Sequence, residues 1–315
     1  MKIWAMRGFP GSGKSTRARE IARQHDAVIV NRDLIRQQLL DSWWTGKTED
    51  EDRVTIAEKA QVEAFLKQNV NIVIDNTNLN PKFLRQWARL ATQYGAEFEV
   101  VDIKTDVDEC KRRAYRRWTQ EAGTPLERYI DPRVIEAKAR QFPMEKWPKI
   151  TAEPFVPEPV ERDATLPDAI IVDIDGTVAR NVSRSPFDYT KVLEDELHPE
   201  IAWLVNVLFL LRYHNPGEDH PDIIFVSGRD HTCYDDTIQW LNDNNIPFDR
   251  LLMRPADARD KRGNKLPDFL VKHQLFNEHI RGKYNVLFIL DDRDQVVRTW
   301  RRMGLKCLQV AEGSF

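Results

Sequence analysis

Short apolar runs alternate with longer amphipathic stretches through the first half of the chain. The runs long enough for a buried strand cover 2–6, 27–30, 70–74 and 98–103. Apolar residues at helical spacing between and after these runs predict helices over 16–24, 33–40, 51–67, 81–94 and 106–117. This alternation predicts a parallel sheet with helices on both faces, which binds ligands at the carboxyl ends of its strands.

The pattern stops at a proline-rich stretch and starts again after it. Prolines at 143, 148, 154, 157, 159 and 167 predict a stiff linker over 143–167. Strand-length runs follow at 169–172, 223–226 and 286–290, and the apolar run 201–211 predicts a buried helix, too short to span a bilayer. The predicted fold class is therefore α/β with two domains, 1–142 and 168–315, each a parallel sheet flanked by helices.

Composition favours an ordinary soluble globular protein. The chain has 315 residues and a net charge of −3, so any contact with nucleic acid must be a local basic patch. Three scattered cysteines without metal-site spacing indicate a reduced, cytoplasmic setting. A chain that starts directly in a strand is expected to carry no signal peptide, and no membrane association is expected.

The segment GFPGSGKST at 8–16 matches the phosphate-loop pattern G-x-x-x-x-G-K-[ST] at every fixed position. A glycine-rich turn between a strand and a helix directs several backbone N–H groups at one anion; a chance glycine turn is the alternative. Lys14 would reach the β- and γ-phosphates of a nucleotide, and the Ser15 hydroxyl would bind Mg²⁺. The predicted ATP-binding residues of this loop are Gly8, Pro10, Gly11, Ser12, Gly13, Lys14, Ser15 and Thr16.

Two polar clusters follow predicted strands of the first domain. Asp33 and Arg36 lie one helical turn apart, where a carboxylate can accept a proton from an attacking hydroxyl and an arginine can hold an acceptor phosphate. Asp33 as a helix N-cap is the alternative. Asp75, after the third strand, is either a Walker-B-like orienting residue or part of an Asx-rich turn.

The densest basic run of the chain, 111–117, follows the last predicted strand of the first domain. Kinases with a phosphate loop carry a mobile lid at this place, and its arginines would neutralise charge during phosphoryl transfer. A solvated helix face is the alternative interpretation.

The first strand of the second domain ends in DIDGTV at 173–178. This resembles the D-x-D-G-T signature of haloacid-dehalogenase-type phosphatases. Asp173 would attack phosphorus and form an aspartyl-phosphate, and Asp175 would protonate the leaving oxygen. The alternative, a calcium loop, needs further spaced acidic ligands that the residues after Thr177 do not supply.

Three later motifs complete the expected phosphatase site. Ser227 and Arg229 follow the strand 223–226 and suit a phosphoryl oxygen, and Lys272 lies in a predicted helical segment. Asp291 and Asp292 follow the strand 286–290, where a carboxylate pair can hold Mg²⁺. The predicted metal ligands of the two domains are Ser15, Asp173, Asp175, Asp291 and Asp292.

The spacing between the phosphatase motifs leaves no room for a large cap domain, either after Thr177 or around 254–264. An open site suits the end of a polymer. Arg184, in the first short insert, could reach an incoming phosphate, with an ordinary surface arginine as the alternative.

Taken in order, these motifs resemble those of the phage-type bifunctional polynucleotide 5′-kinase/3′-phosphatase over nearly the whole chain. The resemblance implies that Asp33 is the general base for a 5′-hydroxyl and that Arg36 holds the acceptor's 3′-side phosphate. It also places Arg184 and Lys272 in the phosphatase site. The Gly8–Thr16 loop and the two aspartates of D-x-D-G-T carry the most specific part of the match.

The lid departs from the family pattern. The resemblance implies a pair of lid arginines on ATP, but this chain has five basic residues between 111 and 117 and a longer stretch before Pro132. Arg113 and Arg117 are the predicted pair, and Arg116 is the alternative. The assignment within the basic run therefore stays open at this point.

The predicted function is nucleic-acid end healing with ATP and Mg²⁺ as cofactors. One site would phosphorylate 5′-hydroxyl ends of DNA or RNA, and the other would remove 3′-phosphates and open 2′,3′-cyclic phosphates, preparing ends for a ligase. A metabolite kinase fused to a metabolite phosphatase and a non-catalytic nucleotide-dependent scaffold are the alternatives. The resemblance further implies a homo-oligomer, with tetramers in the family, and the host cytoplasm if the protein comes from a bacteriophage.

Overall fold

The structure is a computed structural model that describes residues 1–124, 126–185, 188–214, 220–260 and 263–313. The chain divides into two compact units, Met1–Val156 and Pro157–Phe315. The short segments that leave no room for a cap domain fall partly outside the described residues, at 186–187 and 261–262. The predicted α/β class with two parallel sheets is confirmed, and each unit is described by itself below.

The first unit is a parallel sheet with helices between its strands. The strands are β1 Lys2–Arg7, β2 Ala27–Val30, β3 Asn71–Ile74 and β4 Glu97–Asp102. The helices are α1 Lys14–His25, α2 Arg32–Leu40, α3 Thr48–Lys67, α4 Pro81–Tyr94, α5 Val107–Glu121 and α6 Pro132–Gln141. The strand order is β2-β3-β1-β4, and every neighbouring pair is parallel. The polar residues that follow β1, β2 and β3 are thereby gathered at one edge of the sheet.

Helix α4 illustrates how the local sequence sets an element. Its N-cap Asn80 accepts a hydrogen bond from the backbone N–H of Lys82 at 2.9 Å, and Pro81 occupies the first turn. Gly95 ends the helix with a φ of 69°, which suits glycine. The face toward the core carries Leu84, Trp87, Ala88, Leu90, Ala91 and Tyr94. The predicted bounds of this helix are therefore confirmed.

The second unit repeats the parallel α/β plan. Its strands are β5 Asp168–Val172, β6 Ala179–Arg180, β7 Glu196–Leu197, β8 Asp222–Asp230, β9 Arg250–Arg254, β10 Asn285–Arg293 and β11 Cys307–Gly313. Its helices are α7 Pro199–His214, α8 Tyr234–Asp243, α9 Asp268–His279 and α10 Asp294–Arg302. The main sheet has the order β11-β10-β5-β8-β9 and is parallel, while β6 and β7 form a small antiparallel pair.

The apolar run 201–211 forms part of α7, but the prediction that this helix is buried was wrong for one of its faces. Ala202 and Val205 are buried in the core of the second unit, whereas Trp203, Leu210 and Leu211 are exposed. A helix on the outside of a sheet can turn only one face toward it, so a run that is apolar on every face leaves apolar side chains at the surface even though Asn206 interrupts it. Among the described residues, no helix is long and apolar enough to cross a membrane.

The proline-rich stretch predicted as a linker is divided between the two units, with the division after Val156. Its first part packs on the first unit, where Trp147 makes an edge contact with Phe9 and lies 5.0 Å from the guanidinium carbon of Arg7. Its second part pairs with the second unit through the backbone N–H of Val160, which donates to the Met303 carbonyl at 2.8 Å. The exact linker bounds stay a prediction.

Candidate active sites

The phosphate loop between β1 and α1 needs glycine for two physical reasons. Gly11 and Gly13 have φ values of 80° and 98°, a region that favours glycine. A Cβ added at Gly11 would lie 2.2 Å from the Cys110 carbonyl oxygen, so the backbone of α5 leaves no room for a side chain. Gly13 precedes α1 without a side-chain cap, which leaves the first N–H groups of that helix available to an anion.

Two side chains of the loop fit a nucleotide triphosphate. Lys14 is 8% exposed, and its ammonium donates to the Phe9 carbonyl at 2.8 Å. Burial lowers the pKa of Lys14 to about 8, although the nearby carboxylates of Asp75 and Asp33 oppose the shift. The hydroxyl oxygen of Ser12 is buried without a hydrogen-bond partner among the described residues. A phosphate group would satisfy both, so the loop fits the predicted ATP; Ser15 and Thr16 lie exposed at the start of α1.

Asp33 does not cap α2. The side-chain oxygen of Asn31 accepts from the backbone N–H groups of Asp33 at 2.9 Å and Leu34 at 3.0 Å, so Asn31 is the N-cap. The carboxylate of Asp33 instead accepts from Arg36 at 2.6 Å. The structure therefore brings Asp33 and Arg36 together as the sequence predicted. The alternative, that Asp33 is the helix N-cap, does not hold because Asn31 has that place.

Arg36 is held from a second side by α3. Its Nη2 donates to the carboxylate of Glu51 at 2.8 Å, and hydrogen bonding to Arg36 lowers the pKa of Glu51. Arg36 is buried, so the carboxylates of Asp33 and Glu51 fix its guanidinium group in place. Glu51 was missed by sequence reasoning because it looks like one of several acidic residues in the first turn of α3.

Arg128 is a second residue that sequence reasoning missed. It lies between α5 and α6, outside the basic run, and donates to the second carboxylate oxygen of Asp33. Asp33 thus accepts from Arg36 on one oxygen and from Arg128 on the other. No local motif marks Arg128, since its partner is 95 residues away in sequence.

Asp75 lies at the end of β3, beside the phosphate loop. The amide of Asn31 donates to one carboxylate oxygen of Asp75 at 2.8 Å, while the other oxygen is buried and has no hydrogen-bond partner in the described part of the chain. The turn features belong to later residues: Asn78 adopts a φ of 44° and Asn80 caps α4. The orienting role predicted for Asp75 therefore stays a prediction with a matching geometry, near Lys14.

The lid arginines differ in what they contact. Arg113 donates to Glu109 at 2.7 Å and to the Ser12 carbonyl in the phosphate loop at 3.4 Å. Arg117 has two guanidinium nitrogens that are buried without a hydrogen-bond partner in the described ranges, and Arg116 is exposed. Arg113 therefore lies at the phosphate loop, and the choice between Arg117 and Arg116 as its companion stays a prediction.

The second unit gathers three buried carboxylates at the carboxyl ends of β5 and β10. Asp173, Asp291 and Asp292 each offer an oxygen, and these oxygens lie within 4.8 Å of one another. The ammonium of Lys272 lies 2.8 Å from Asp173 and 2.9 Å from Asp291. Lys272 is 1% exposed, so it is not the solvent-facing helix lysine that its segment alone would suggest.

The charges of this carboxylate cluster fit a divalent cation. Burial and the neighbouring Asp291 raise the pKa of Asp292 to about 6, and burial raises the pKa of Asp173. Three carboxylates facing one lysine leave an excess of negative charge that oxygen-ligated Mg²⁺ would neutralise. Gly176 is required beside the cluster, because a Cβ at its φ of 83° would lie 2.1 Å from a carboxylate oxygen of Asp292.

Asp175 was predicted as a metal ligand, but its carboxylate lies outside the cluster. Arg229 donates to both of its oxygens, at 2.8 and 3.0 Å, and Arg184 donates to one at 2.9 Å. Burial would raise the pKa of Asp175, yet Arg229 and Arg184 outweigh it and hold that pKa below its usual value. The carboxylate of Asp175 therefore lies with the arginines, and its role as a metal ligand stays a prediction, as do those of Asp173, Asp291 and Asp292.

Arg184 is not a surface arginine, because a fully buried aspartate binds it. Asp195 accepts from Arg184 at 2.7 Å and from Arg229 at 2.6 Å, and the three side chains are out of solvent. Ser227 is buried within β8, and its hydroxyl accepts from the backbone N–H of Arg229 at 3.2 Å. Asp195 was missed because it belongs to no motif.

Comparison with known proteins separates the two units in the same way. Residues 167–315 match the family model described as polynucleotide kinase PNKP phosphatase domain, and residues 3–131 match the model described as AAA domain. The second half of the chain therefore carries a phosphatase domain of the polynucleotide kinase PNKP type. The predicted family, and with it the predicted pairing of a kinase domain with a phosphatase domain, is confirmed.

Among its relatives, a protein of Autographa californica nuclear polyhedrosis virus named as a bifunctional polynucleotide kinase/RNA ligase is 30% identical over 95% of the chain. The chain spans about 40% of that relative's length. Chains in two solved structures of a Pnkp1/Rnl/Hen1 complex, one described as an RNA repair complex, are 32% and 31% identical. They align over 100% of this chain and 97% of their own, with TM-scores of 0.47 and 0.46.

Proposed function

We propose that the protein heals broken nucleic-acid ends by two separate reactions. It transfers the γ-phosphate of ATP to a 5′-hydroxyl, and it removes a 3′-phosphate. The observation that carries the proposal is the pair formed by Asp33 and Arg36, with Asp33 near Lys14 of the phosphate loop, in a chain whose second unit is a PNKP-type phosphatase domain. A carboxylate paired with an arginine is an acceptor site, and the phosphatase family indicates that the acceptor is a polynucleotide.

In the kinase site the phosphate loop binds the donor and α2 binds the acceptor. Lys14 and the N–H groups of the loop hold the β- and γ-phosphates of ATP, and Arg113 approaches from α5. Arg36 holds a backbone phosphate of the acceptor strand. Asp33 takes the proton of the 5′-hydroxyl while the hydroxyl oxygen bonds to the γ-phosphorus. The bond between the γ-phosphorus and the bridging oxygen breaks, and ADP leaves. Ser15, at the start of α1, would hold Mg²⁺, which neutralises the phosphates.

In the phosphatase site Asp173 is the nucleophile. One of its oxygens bonds to the phosphorus of the 3′-phosphate, the bond to the 3′-oxygen breaks, and Asp175 gives that oxygen a proton. Water then attacks the aspartyl-phosphate, its proton passes to Asp175, and inorganic phosphate leaves. Lys272 neutralises charge at Asp173, and Asp291 and Asp292 would hold Mg²⁺, which neutralises the phosphoryl oxygens.

The arginines around Asp175 account for how an acid with a lowered pKa can still give a proton. Arg184 and Arg229 bind Asp175 in the free enzyme. A substrate phosphate dianion competes for the same guanidinium groups. When the arginines turn to the phosphate, Asp175 loses their stabilisation and its pKa rises, so the acid forms only with substrate bound.

RNA ends are the proposed substrate class, with opening of 2′,3′-cyclic phosphates as part of the 3′ reaction. The support is the names of relatives, one called a polynucleotide kinase/RNA ligase and others found in an RNA repair complex. The products, a 5′-phosphate and a 3′-hydroxyl, are the ends that a ligase joins, so we propose a ligase as the functional partner. A cytoplasmic location and a homo-oligomeric state belong to the same proposal.

One substrate tests both reactions. A synthetic RNA with a 5′-hydroxyl and a 3′-phosphate is incubated with the protein, labelled ATP and Mg²⁺, and both ends are followed. Lys14→Ala is expected to abolish only phosphorylation of the 5′ end, and Asp173→Asn only removal of the 3′-phosphate. Each variant is therefore the control for the other. If the wild-type protein changes neither end but phosphorylates free nucleosides, the metabolite alternative replaces the proposal.

A further inference from the structure

Two consecutive tryptophans occupy the segment between α2 and α3, directly after the helix that carries Asp33. Trp44 is 65% exposed, and Trp43 is half-buried. The turn is held locally, because the Ser42 hydroxyl accepts from the backbone N–H of Trp44 at 3.2 Å and donates to its carbonyl at 3.3 Å. The exposed face of the Trp44 ring suits the face of a second flat group.

Both tryptophans lie against the arginines that bind Asp33. The guanidinium carbon of Arg36 lies 5.7 Å from the centre of the Trp44 ring, and that of Arg128 lies 5.4 Å from the centre of the Trp43 ring. The same two arginines donate to the two carboxylate oxygens of Asp33. One guanidinium group therefore separates each indole from the predicted general base.

We propose that Trp44, supported by Trp43, stacks on the base of the acceptor's 5′-terminal nucleotide. This inference rests on the proposed kinase function. In a nucleotide one ribose separates the 5′-oxygen from the base, a separation similar to the single guanidinium group between Asp33 and Trp44. With the 5′-hydroxyl at Asp33 and a backbone phosphate at Arg36, the base reaches the exposed ring.

The chemistry of an indole defines what this site would accept. Every base has a π face, so stacking on Trp44 is tolerant of sequence and requires an unpaired terminal base. The surrounding guanidinium groups of Arg36 and Arg128 favour a polyanion over an uncharged flat molecule. The site would therefore bind any single-stranded 5′-terminal nucleotide, as an enzyme that repairs unrelated breaks requires.

The test separates acceptor binding from donor binding and chemistry. Trp44→Ala is expected to raise the KM for a single-stranded 5′-hydroxyl oligonucleotide roughly tenfold. The KM for ATP and the kcat at saturating acceptor are expected to stay within about twofold, and Trp44→Phe is expected to restore most of the affinity, since a phenyl ring also stacks. Trp203→Ala is the matched control, because that ring is 68% exposed in the second unit.

A second acceptor, which lacks only its 5′-terminal base, allows enzyme and substrate changes to be combined. For the wild-type enzyme, the acceptor KM is expected to rise on this abasic oligonucleotide by about the same factor as Trp44→Ala raises it on the intact one. For Trp44→Ala, removal of the base is expected to raise the acceptor KM no further. If the effects of Trp44→Ala and of the missing base on the acceptor KM multiply, the ring and the base do not contact each other and the proposal is overturned. A rise in the KM for ATP alone would assign Trp44 to the adenine of the donor, and unchanged constants would leave a protein partner as the occupant of the ring.

A measurement without turnover keeps this inference apart from the proposed function. Binding of the 5′-hydroxyl oligonucleotide is expected to quench tryptophan fluorescence, and Trp44→Phe is expected to remove most of that change. If the wild-type enzyme phosphorylates the oligonucleotide and Trp44→Ala is unchanged, the stacking proposal fails alone. If the wild-type enzyme phosphorylates no oligonucleotide, the proposed kinase function fails.

Discussion

Lys272 donates to Asp173 across 2.8 Å, with both side chains almost entirely out of solvent. The same ammonium group lies 2.9 Å from Asp291, so one buried cation binds a predicted nucleophile and a predicted metal ligand. Buried charges are tolerated when they are paired, and removing one partner leaves the other without compensation. The contact therefore connects the stability of the second unit with its chemistry.

Replacement of this lysine is expected to affect both properties. Lys272→Met should lower the free energy of unfolding of the protein by about 3–5 kcal/mol, because it leaves Asp173 and Asp291 buried without their cation. Phosphatase kcat should fall at least about a hundredfold, since a charge that stabilises the developing oxyanion is lost. Denaturant titration and release of inorganic phosphate measure the two effects. Lys283→Met, at an exposed lysine, is the control, and an equal effect of the two changes would contradict the expectation.

Asp195 offers a test of how the arginines are positioned. Asp195→Asn removes the charge that binds both Arg184 and Arg229, so the guanidinium groups lose their fixed orientation toward Asp175. The phosphatase kcat/KM is expected to fall by about 10–100-fold, while kinase activity stays unchanged. The exposed neighbour Glu194→Gln is the control. Full phosphatase activity of Asp195→Asn would show that the arginines hold their places without it.

Gly11 and Gly123 form a matched pair for the phosphate loop. Both have a positive φ, at 80° and 74°, so alanine strains the backbone at either position. Only at Gly11 would the added Cβ meet backbone, the Cys110 carbonyl; at Gly123 nothing lies within 4 Å. Gly11→Ala is expected to abolish ATP binding, and Gly123→Ala to cost only about 1 kcal/mol of stability. Equal ATP affinity in both variants, measured by calorimetry, would argue against the loop as the nucleotide site.

Lys14 is expected to make ATP affinity depend on pH. Its pKa in the free enzyme is lowered to about 8 from 10.5, so the folded protein loses this charge as the pH rises through about 8 while the unfolded chain keeps it. Phosphate binds the charged form, so ATP affinity should be constant below pH 7 and fall by up to about tenfold per pH unit above 8.

The corresponding control keeps the charge at all these pH values. Lys14→Arg is expected to bind ATP more weakly at neutral pH but without the fall above pH 8, as measured by competition with a fluorescent nucleotide. Without nucleotide, wild-type stability should rise through the same pH window, because the unfolded chain then binds more protons than the folded one. A parallel loss of affinity in both proteins would assign the pH dependence to another group.

The sequence predicted those parts of the sites that local backbone geometry determines. The phosphate loop and the Asp173–Thr177 turn are contiguous segments whose residue types follow from the turn itself, and their strands and helices lie where the apolar pattern placed them. Parallel strands then bring distant motifs to one edge, which is why Asp291 could be predicted beside Asp173.

The parts that were missed depend on pairing across long stretches of chain. Arg128 meets Asp33, and Asp195 meets Arg184 and Arg229, through contacts that no periodicity encodes. The same limit applies to the side chain of Asp175, whose orientation depends on arginines supplied by other elements.

The contacts of Asp33 with Arg36 and Arg128 affect how much ATP the enzyme would hydrolyse without an acceptor. Both carboxylate oxygens of Asp33 accept from arginines in the free protein, so the carboxylate is poorly placed to deprotonate a stray water. Under the proposed role, an arriving strand end must first draw Arg128 away, and only then does a base exist. A kinase arranged in this way hydrolyses little ATP while it waits for a break.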